Sequence, residues 1–289
     1  MFLPCLVGLD AGGGVDTLAR PFAKELGDAL KQTVYVENKA SATGQTGAID
    51  VARSAPDGYT LLIHSAAFGT TPAFYPNVPY NAIRDFEPIT ILASAPQILV
   101  ASPGFKGNTI ADVVKSGNKL NFALSASTGI QALATHLLAS AAHTDFTHVA
   151  YKGAGAAFPD LISGQVDVMI DNPGSSLPFV KSGKLRLIAT TGKARMKSLP
   201  DTPAIAETYP GFEALNWFIL LAPAGTPDAI LDKVHGASLK ALSSASVKAM
   251  LERDGTDAVG SSRDETRKFL RAEVDKWTKV VKDKNLQVQ

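Results

Sequence analysis

Short runs rich in β-branched and aromatic residues alternate along this chain with longer stretches whose apolar residues recur at helical spacing. The short runs lie at residues 34–37, 59–63, 89–93, 120–124 and 166–170. This alternation is typical of strands connected by helices, and it predicts a mostly parallel sheet that helices cover. The sequence therefore predicts an α/β fold.

The first helix has one apolar face. Leu18, Phe22, Leu26 and Leu30 recur every four residues, so they form a single stripe on a helix. Pro21 is expected to delay the start of this helix or to kink it, because proline cannot donate a backbone hydrogen bond.

Two helix starts can be predicted near the C-terminus. Thr226 before Pro227 has the pattern of a capping residue followed by proline at the first helical position. Ser262 and Glu265 have the spacing of a capping box. The helix after them has an apolar face formed by Leu270, Val274, Trp277 and Val281.

The 289 residues are enough for two lobes, each with its own core. Proline and glycine are concentrated at residues 101–104 and 221–227, where we expect the chain to cross from one lobe to the other. We therefore predict a discontinuous first lobe of residues 1–101 and 220–289. Residues 102–219 form the predicted second lobe, with a ligand cleft between the two.

Composition excludes several classes of function. The 28 basic and 27 acidic residues give a net charge of +1, so no global field attracts nucleic acid. No apolar run approaches the roughly 20 residues of a membrane-spanning helix. Cys5 is the only cysteine, which excludes an intrachain disulfide and a cysteine-based metal cluster.

The sequence lacks the common motifs for catalysis and cofactor binding. The chain has no G-x-S-x-G nucleophile elbow, no H-E-x-x-H metal pair and no nucleotide-binding glycine fingerprint. Its five histidines are scattered without the spacing of metal ligands. We therefore predict no catalytic residue, no metal and no organic cofactor.

A glycine-rich loop at residues 8–16 is the most distinctive local feature. It follows an apolar strand and precedes the first helix, so its backbone N–H groups can face an anion. A tight turn without a ligand is the alternative interpretation. The candidate ligand-binding residues here are Asp10, Gly12, Gly13, Gly14, Val15 and Asp16.

Two further loops each follow a predicted strand and lead into a helix. Hydroxyls in the segment 125–129 can donate hydrogen bonds to a carboxylate, although capping of the next helix also explains Ser127 or Thr128. In the segment 150–155, Lys152 can pair with an anion or can simply be solvated. The candidates are Ser125, Ser127, Thr128, Gln131, Tyr151, Lys152 and Gly153.

Many segments, taken in order, carry a family resemblance that covers nearly the whole chain. The matching segments are residues 11–16, 36–38, 55–62, 80, 85–86, 151–153, 164–167, 171–172, 175–178, 183–185, 199–201, 217–218 and 222–227. No single segment is diagnostic, but together and in this order they resemble the substrate-binding receptors of tripartite tricarboxylate transporters, the Bug-type receptors.

This resemblance implies a two-lobed, Venus-flytrap periplasmic binding protein that delivers a solute to membrane permease subunits. It implies that loops matching residues 12–16, 125–129 and 151–154 hold a ligand carboxylate. It adds Ser65, Ala66 and Ala67 as another lining segment, and we include Asp171 from a matching segment. The family's usual pattern is absent at Gly8-Leu-Asp10 and in the segment Ser125 to Gln131, and Ala132 stands where a histidine is common, which implies a shifted specificity.

The resulting hypothesis is a monomeric periplasmic receptor for a small organic carboxylate. Dicarboxylates, tricarboxylates, aromatic carboxylates and acidic amino acids all remain open, and we expect an export signal upstream of this sequence. One alternative is an α/β enzyme that uses Asp16 or Asp171 as a base. Another is a solute-sensing partner of a signalling protein.

Overall fold

The computed structural model describes residues 2–7, 14–39 and 44–286, with residues 2–7 described by their backbone alone. The chain divides into two compact units. Unit 1 comprises Met1–Ser94 and Trp217–Gln289, and unit 2 comprises Ala95–Asn216. The sequence placed these boundaries at residues 101 and 220.

The helices and strands follow one another in three stretches. The first stretch contains β1 (Phe2–Val7), α1 (Gly14–Leu30), β2 (Thr33–Asn38), α2 (Gln45–Ala52), β3 (Leu61–Ser65), α3 (Ala67–Phe74) and β4 (Phe86–Pro96). The second contains β5 (Ile98–Ala101), α4 (Ile110–Ser116), β6 (Asn121–Leu124), α5 (Ile130–Ala141), β7 (Thr147–Ala150), α6 (Ala154–Ser163), β8 (Val168–Asp171), α7 (Pro173–Lys181) and β9 (Arg186–Thr190). The third contains β10 (Leu215–Pro223), α8 (Asp228–Leu242), α9 (Ala245–Arg253), β11 (Asp257–Ala258) and α10 (Arg263–Asp283).

Unit 1 is built on a six-stranded sheet in the order β11-β4-β10-β3-β1-β2. Strands β1, β2 and β3 are parallel, whereas β10 runs antiparallel to β3 and β11 antiparallel to β4. The predicted stripe on α1 is confirmed, since Leu18, Phe22 and Leu26 are buried against residues of β3, β10 and α8.

Unit 2 is built on a five-stranded sheet in the order β7-β6-β8-β5-β9. Strands β6, β7 and β8 are parallel, but β5 runs antiparallel to both of its neighbours. Its core contains Val100, Ala123, Phe158, Leu161 and Met169. The parallel pairing predicted from the alternation is confirmed for β1, β2 and β3 and for β6, β7 and β8. Strands β5, β10 and β11 instead pair antiparallel with their neighbours.

Local expectations about helix ends had mixed outcomes. The capping box of Ser262 and Glu265 is confirmed, because the Ser262 hydroxyl accepts from the Glu265 N–H at 3.3 Å and the Glu265 carboxylate accepts from the Ser262 N–H at 2.9 Å. The expected delay of α1 is wrong, since α1 begins at Gly14 and contains Pro21. The expected cap by Thr226 is also wrong. Its hydroxyl instead donates to the carbonyl of Pro223 at 2.8 Å.

None of the described helices is long and apolar enough to span a membrane.

Candidate functional site

The start of α1 is the described part of the first candidate loop of unit 1. Val7 at the end of β1 pairs with Ile63 near the end of β3, so these two parallel strands end at the same edge of the sheet. Helix α1 begins there at Gly14, and α3 begins at Ala67. Of the predicted residues, Asp10, Gly12 and Gly13 lie outside the described residues.

The described part of this loop is close to the crossing strand β10. Phe218 of β10 pairs with Ser65, and a Cβ added to Gly14 would lie 3.9 Å from Cζ of Phe218. Gly14 and Ser65 therefore both lie beside Phe218. Val15 points into the core, where 3% of its surface is exposed, so only its backbone is available to a ligand.

Asp16 is buried and already engaged by protein groups. Its carboxylate accepts from Nε of Arg20 at 2.9 Å and contacts Nη2 of the same residue at 2.9 Å. It also accepts from Nδ2 of Asn38 at 3.0 Å, and Nη2 of Arg20 donates to Oδ1 of Asn38 at 3.1 Å. These contacts join the first two turns of α1 to the end of β2.

Ser65 and Ala66 follow a buried histidine. Nδ1 of His64 accepts from the Ser65 N–H at 2.9 Å, which leaves the proton on Nε2, and Nε2 donates to the carbonyl of Gly44 at 3.3 Å. Burial lowers the pKa of His64 from 6.5 to about 4. A neutral histidine therefore fixes the end of β3 to the residue before α2.

Unit 2 brings together three of the predicted loops or segments. Strands β7, β6 and β8 are adjacent and parallel, and each is followed within a few residues by a helix, so the N-termini of α5, α6 and α7 lie along one edge of the sheet. A helix N-terminus carries free N–H groups and a partial positive charge, and it favours an anion. We refer to this edge as the unit 2 edge.

Two of these loops are tied to each other through their backbones. The Tyr151 N–H donates to the carbonyl of Leu124 at 2.9 Å, and the Gly153 N–H donates to the carbonyl of Ser125 at 2.7 Å. Gly129 and Gly153 precede α5 and α6 with φ values of 103° and 100°, a region that favours glycine. The two helix starts are therefore held in register by hydrogen bonds and by glycine backbone conformations.

The helices at this edge lack side-chain caps. Gly129, Gly153 and Asn172 are the N-caps of α5, α6 and α7, and none of them makes a side-chain capping bond. Helix α4, which follows the antiparallel strand β5, has a full capping box formed by Thr109 and Asp112. The interpretation of Ser127 or Thr128 as a cap of α5 is therefore wrong.

The predicted side chains of unit 2 differ in exposure and in their partners. Ser127 and Lys152 are exposed, and Ser125, Thr128 and Gln131 are half-buried. Tyr151 donates its hydroxyl to Oδ2 of Asp160 at 2.7 Å; burial and this bond raise the pKa of Tyr151 to about 12. Its hydroxyl is thus committed to α6.

Asp171 lies inside unit 2, with 1% of its surface exposed. Its Oδ2 accepts from the hydroxyls of Ser175 and Ser176, the latter at 2.8 Å. These bonds join the end of β8 to the first turns of α7. The carboxylate is therefore engaged by two hydroxyls of α7, the helix that follows it.

No group of three or more histidine, cysteine, aspartate or glutamate side chains that could hold a metal ion occurs in the part of the chain that the structure describes.

Sequence reasoning missed Arg20, Phe218 and the pair Ser175 and Ser176 as residues that shape these edges. Arg20 follows Asp16 by four residues, and this spacing of opposite charges on a helix could have signalled the ion pair. Phe218 and the two serines appeared only within the family resemblance, because their contacts depend on strand pairing.

A comparison with protein-family models decides the family. Residues 18–286 match the model of the tripartite tricarboxylate transporter family receptor. The chain belongs to this receptor family. The match covers far more than half of the 289 residues, and it confirms the resemblance carried by the short segments.

Solved structures similar to this receptor have the same fold. The periplasmic binding protein BugD is 29% identical with a TM-score of 0.79, and the match covers 100% of this chain and 99% of BugD. A protein from R. palustris, solved with adipate, is 30% identical with a TM-score of 0.81 and coverages of 98% and 97%. MatC from Rhodopseudomonas palustris, solved with bound malate, is 29% identical with a TM-score of 0.78 and coverages of 97% and 98%.

These comparisons confirm the predicted fold class, the two-lobed α/β fold of periplasmic binding proteins. They also establish that the receptor is an extracytoplasmic solute-binding protein and not an enzyme. The hypothesis of a base at Asp16 or Asp171 is therefore wrong, which agrees with the engagement of both carboxylates by neighbouring side chains.

Proposed function

We propose that this receptor captures a small organic solute through a carboxylate group and delivers it to the membrane subunits of a tripartite tricarboxylate-type transporter. The observation that carries the proposal is the unit 2 edge, where three helix N-termini converge without side-chain caps. N–H groups at a helix start that no side chain caps can instead donate hydrogen bonds to a bound anion. The adipate and malate in the two similar structures support a carboxylate as that anion.

In this proposal the second contribution comes from unit 1. The segment from Gly12 to Asp16 supplies backbone N–H groups at the start of α1, and Ser65 to Ala67 line the same edge. Unit 2 supplies backbone N–H groups near Gly129 and Gly153 together with the hydroxyls of Ser127 and Thr128. Asp171 and the Tyr151 hydroxyl have a supporting role in this proposal, because side chains of the helices that follow them, α7 and α6, already engage them.

The proposal is tested by thermal shift with malate, adipate, citrate, benzoate and glutamate, followed by calorimetric titration of those that bind. A ligand that binds only the folded state at a hundred times its Kd should stabilise the receptor by about 2.7 kcal/mol. We expect at least one carboxylate to do so, and the uncharged diamide of the best dicarboxylate to have no effect. A receptor that none of the five stabilises would contradict the proposal.

Two variants measure the contribution of each unit. We expect Gly13→Val to weaken binding by at least roughly a hundredfold, because a charge-assisted hydrogen bond contributes about 1.5–3 kcal/mol and two are lost. Ser127→Ala with Thr128→Val should weaken binding less, since backbone donors remain. Thr109→Val is the matched control: it removes a hydroxyl that caps α4, so it should lower stability and leave affinity unchanged.

Delivery to the transporter and a monomeric state complete the proposal. The family description supports the first, since a receptor of this kind serves a tripartite transporter. Reconstitution of the receptor with its membrane subunits in vesicles tests the delivery. Light scattering of the purified receptor, with and without ligand, tests the monomeric state.

A further inference from the structure

Gln97 is a buried polar residue at the point where the chain enters β5. None of its surface is exposed, and within the described part of the chain neither Nε2 nor Oε1 of its side chain has a hydrogen-bond partner. A buried polar group without a partner is costly, so it usually receives one from the chain, from water or from a ligand. Gln97 therefore marks a place where a group from outside the polypeptide is expected.

The backbone of Gln97, in contrast, is engaged on both sides. Its N–H donates to the hydroxyl of Thr191 at 2.7 Å, and its carbonyl accepts from the Thr191 N–H at 3.0 Å. The carbonyl of Thr191 accepts in turn from the Ala214 N–H at 3.0 Å. These bonds tie Gln97 to the end of β9 and to the segment before β10. The amide side chain is thus carried by a firmly held backbone.

Gln97 lies at the unit 2 edge. Strands β5 and β8 are antiparallel, and Ile98, the first residue of β5, pairs with Asp171, the last residue of β8. Gln97 precedes β5 and Asn172 follows β8, so both lie at the strand ends where α7 begins. Asn172 is the N-cap of α7, and its Oδ1 accepts from Nδ2 of Asn216 at 3.4 Å. Amide groups are therefore concentrated beside one of the three uncapped helix starts.

The chemistry of an amide indicates what can bind Gln97. Nε2 donates hydrogen bonds and Oε1 accepts them. A carboxylate only accepts and an ammonium group only donates, so each of these would leave one end of the amide unpaired. A hydroxyl can accept from Nε2 and donate to Oε1. Because the amide is enclosed, a solute that lacks the hydroxyl would leave it unpaired out of water, which gives strong discrimination.

We propose that Gln97 is a specificity-determining residue that hydrogen-bonds a hydroxyl of the solute, so that the receptor prefers hydroxycarboxylates to the same acids without the hydroxyl. This inference rests on the proposed function and narrows its class of solute. The helix starts of the unit 2 edge bind the carboxylate, and Gln97 recognises a substituent of the same molecule.

The test compares acids that differ by one hydroxyl: malate with succinate, citrate with tricarballylate, and mandelate with phenylacetate. Each acid is titrated by calorimetry into the unaltered receptor. In the pair that binds, the hydroxy acid should bind at least about tenfold more tightly, because the acid without the hydroxyl leaves the amide unpaired.

Gln97→Met tests whether this preference depends on the amide. The substitution removes donor and acceptor and keeps the length of the side chain, so the hydroxy acid should lose about tenfold in affinity while the acid without the hydroxyl binds as before. Urea unfolding of the ligand-free variant should show no loss of stability, since an unpaired buried amide has been replaced by an apolar group. If Gln97→Met does not fold, Gln97→Asn, which withdraws the amide by one methylene, provides the same comparison.

The matched control is Gln165→Met. Gln165 is an exposed glutamine of the same unit, at the end of α6 away from the helix starts. Gln165→Met should bind both acids of the pair like the unaltered receptor.

Three results would overturn the inference and leave the proposed function intact. The first is equal affinity of the unaltered receptor for both acids of every pair that it binds. The second is a preference that survives in Gln97→Met, which would mean that the amide binds an internal water or only supports the edge. The third is a receptor that binds adipate, benzoate or glutamate and none of the three hydroxy acids. If no carboxylate binds at all, the proposed function fails and this inference fails with it.

Discussion

Three buried ionisable side chains near the proposed ligand segments show how single residues are adapted to their sites. Asp16 is paired with arginine, Asp171 is satisfied by two serine hydroxyls, and His64 stays neutral between two backbone groups. A buried charge needs such partners, and a buried base without a charged partner loses its proton instead. For His64, this has a measurable consequence for the pH dependence of stability.

We predict that His64 makes the receptor acid-sensitive. Its pKa is about 4 in the folded state, below its ordinary value of 6.5, so the unfolded chain binds a proton first as the pH falls. Stability present above pH 6.5 should therefore be lost as the pH falls toward 4, by about 3 kcal/mol in total. His64→Gln, which cannot titrate, should lack this part of the pH dependence in urea unfolding.

The control for this prediction is His143→Asn. His143 is exposed, and asparagine tolerates its positive φ of 49°. The pH dependence of His143→Asn should follow that of the unaltered receptor. Equal loss of stability with falling pH in the His64→Gln variant would show that His64 is not the acid-sensitive group.

At the scale of helices and strands, the sequence correctly predicted two features that depend on residues close together in the chain. The stripe of α1 and the box of Ser262 and Glu265 depend on residues three or four apart, and both are confirmed. Thr226 has an equally suggestive sequence pattern, yet its hydroxyl donates back to Pro223. Propensity is a weak guide where a hydroxyl has two partners within reach.

For the candidate site too, the sequence predicted only those features that depend on residues close together in the chain. Loops after strands can be located from the change of periodicity, which placed the segments at 125–129 and 151–153 at strand ends. The bond from Asn38 to Asp16 spans 22 residues, and the burial of Asp171 depends on the pairing of β8 with β5. Local patterns cannot reveal contacts that only the assembled sheet creates.

We predict that the cap of α10 stabilises the folded receptor. Ser262→Ala removes the hydroxyl that accepts from the Glu265 N–H, and it should reduce the free energy of unfolding by about 1 kcal/mol. Urea unfolding measures this change. Ser243→Ala, at the exposed C-terminal end of α8, is the control and should change stability by less than about 0.5 kcal/mol. Equal effects of the two substitutions would show that the capping box contributes nothing specific.

At the scale of the whole molecule, the two units differ in continuity. Unit 2 is one uninterrupted stretch with its own sheet and core, whereas unit 1 is assembled from two stretches separated by 122 residues of unit 2, from Ala95 to Asn216. In the unit 1 sheet, β10 from the second stretch lies between β4 and β3 from the first. The first stretch alone therefore lacks a central strand.

We predict that residues 95–216 fold as an isolated fragment and that residues 1–94 do not. The first fragment retains every strand of its sheet, and the second loses the strand between β4 and β3. Circular dichroism during heating should show a cooperative transition for the first fragment only. Joining residues 1–94 to 217–289 by a short glycine-serine linker should restore cooperative unfolding to unit 1, and a cooperative transition in residues 1–94 alone would contradict the prediction.

The position of β10 also determines when the unit 1 sheet can be completed during synthesis. A ribosome makes the chain from its N-terminus, so every strand of the unit 2 sheet has emerged before β10, although unit 2 comes second in sequence. Until then β3 and β4 have unpaired edges, which other chains can join. The first-made stretch of unit 1 is therefore expected to complete its sheet only after β10, and with it all of unit 2, has been synthesised.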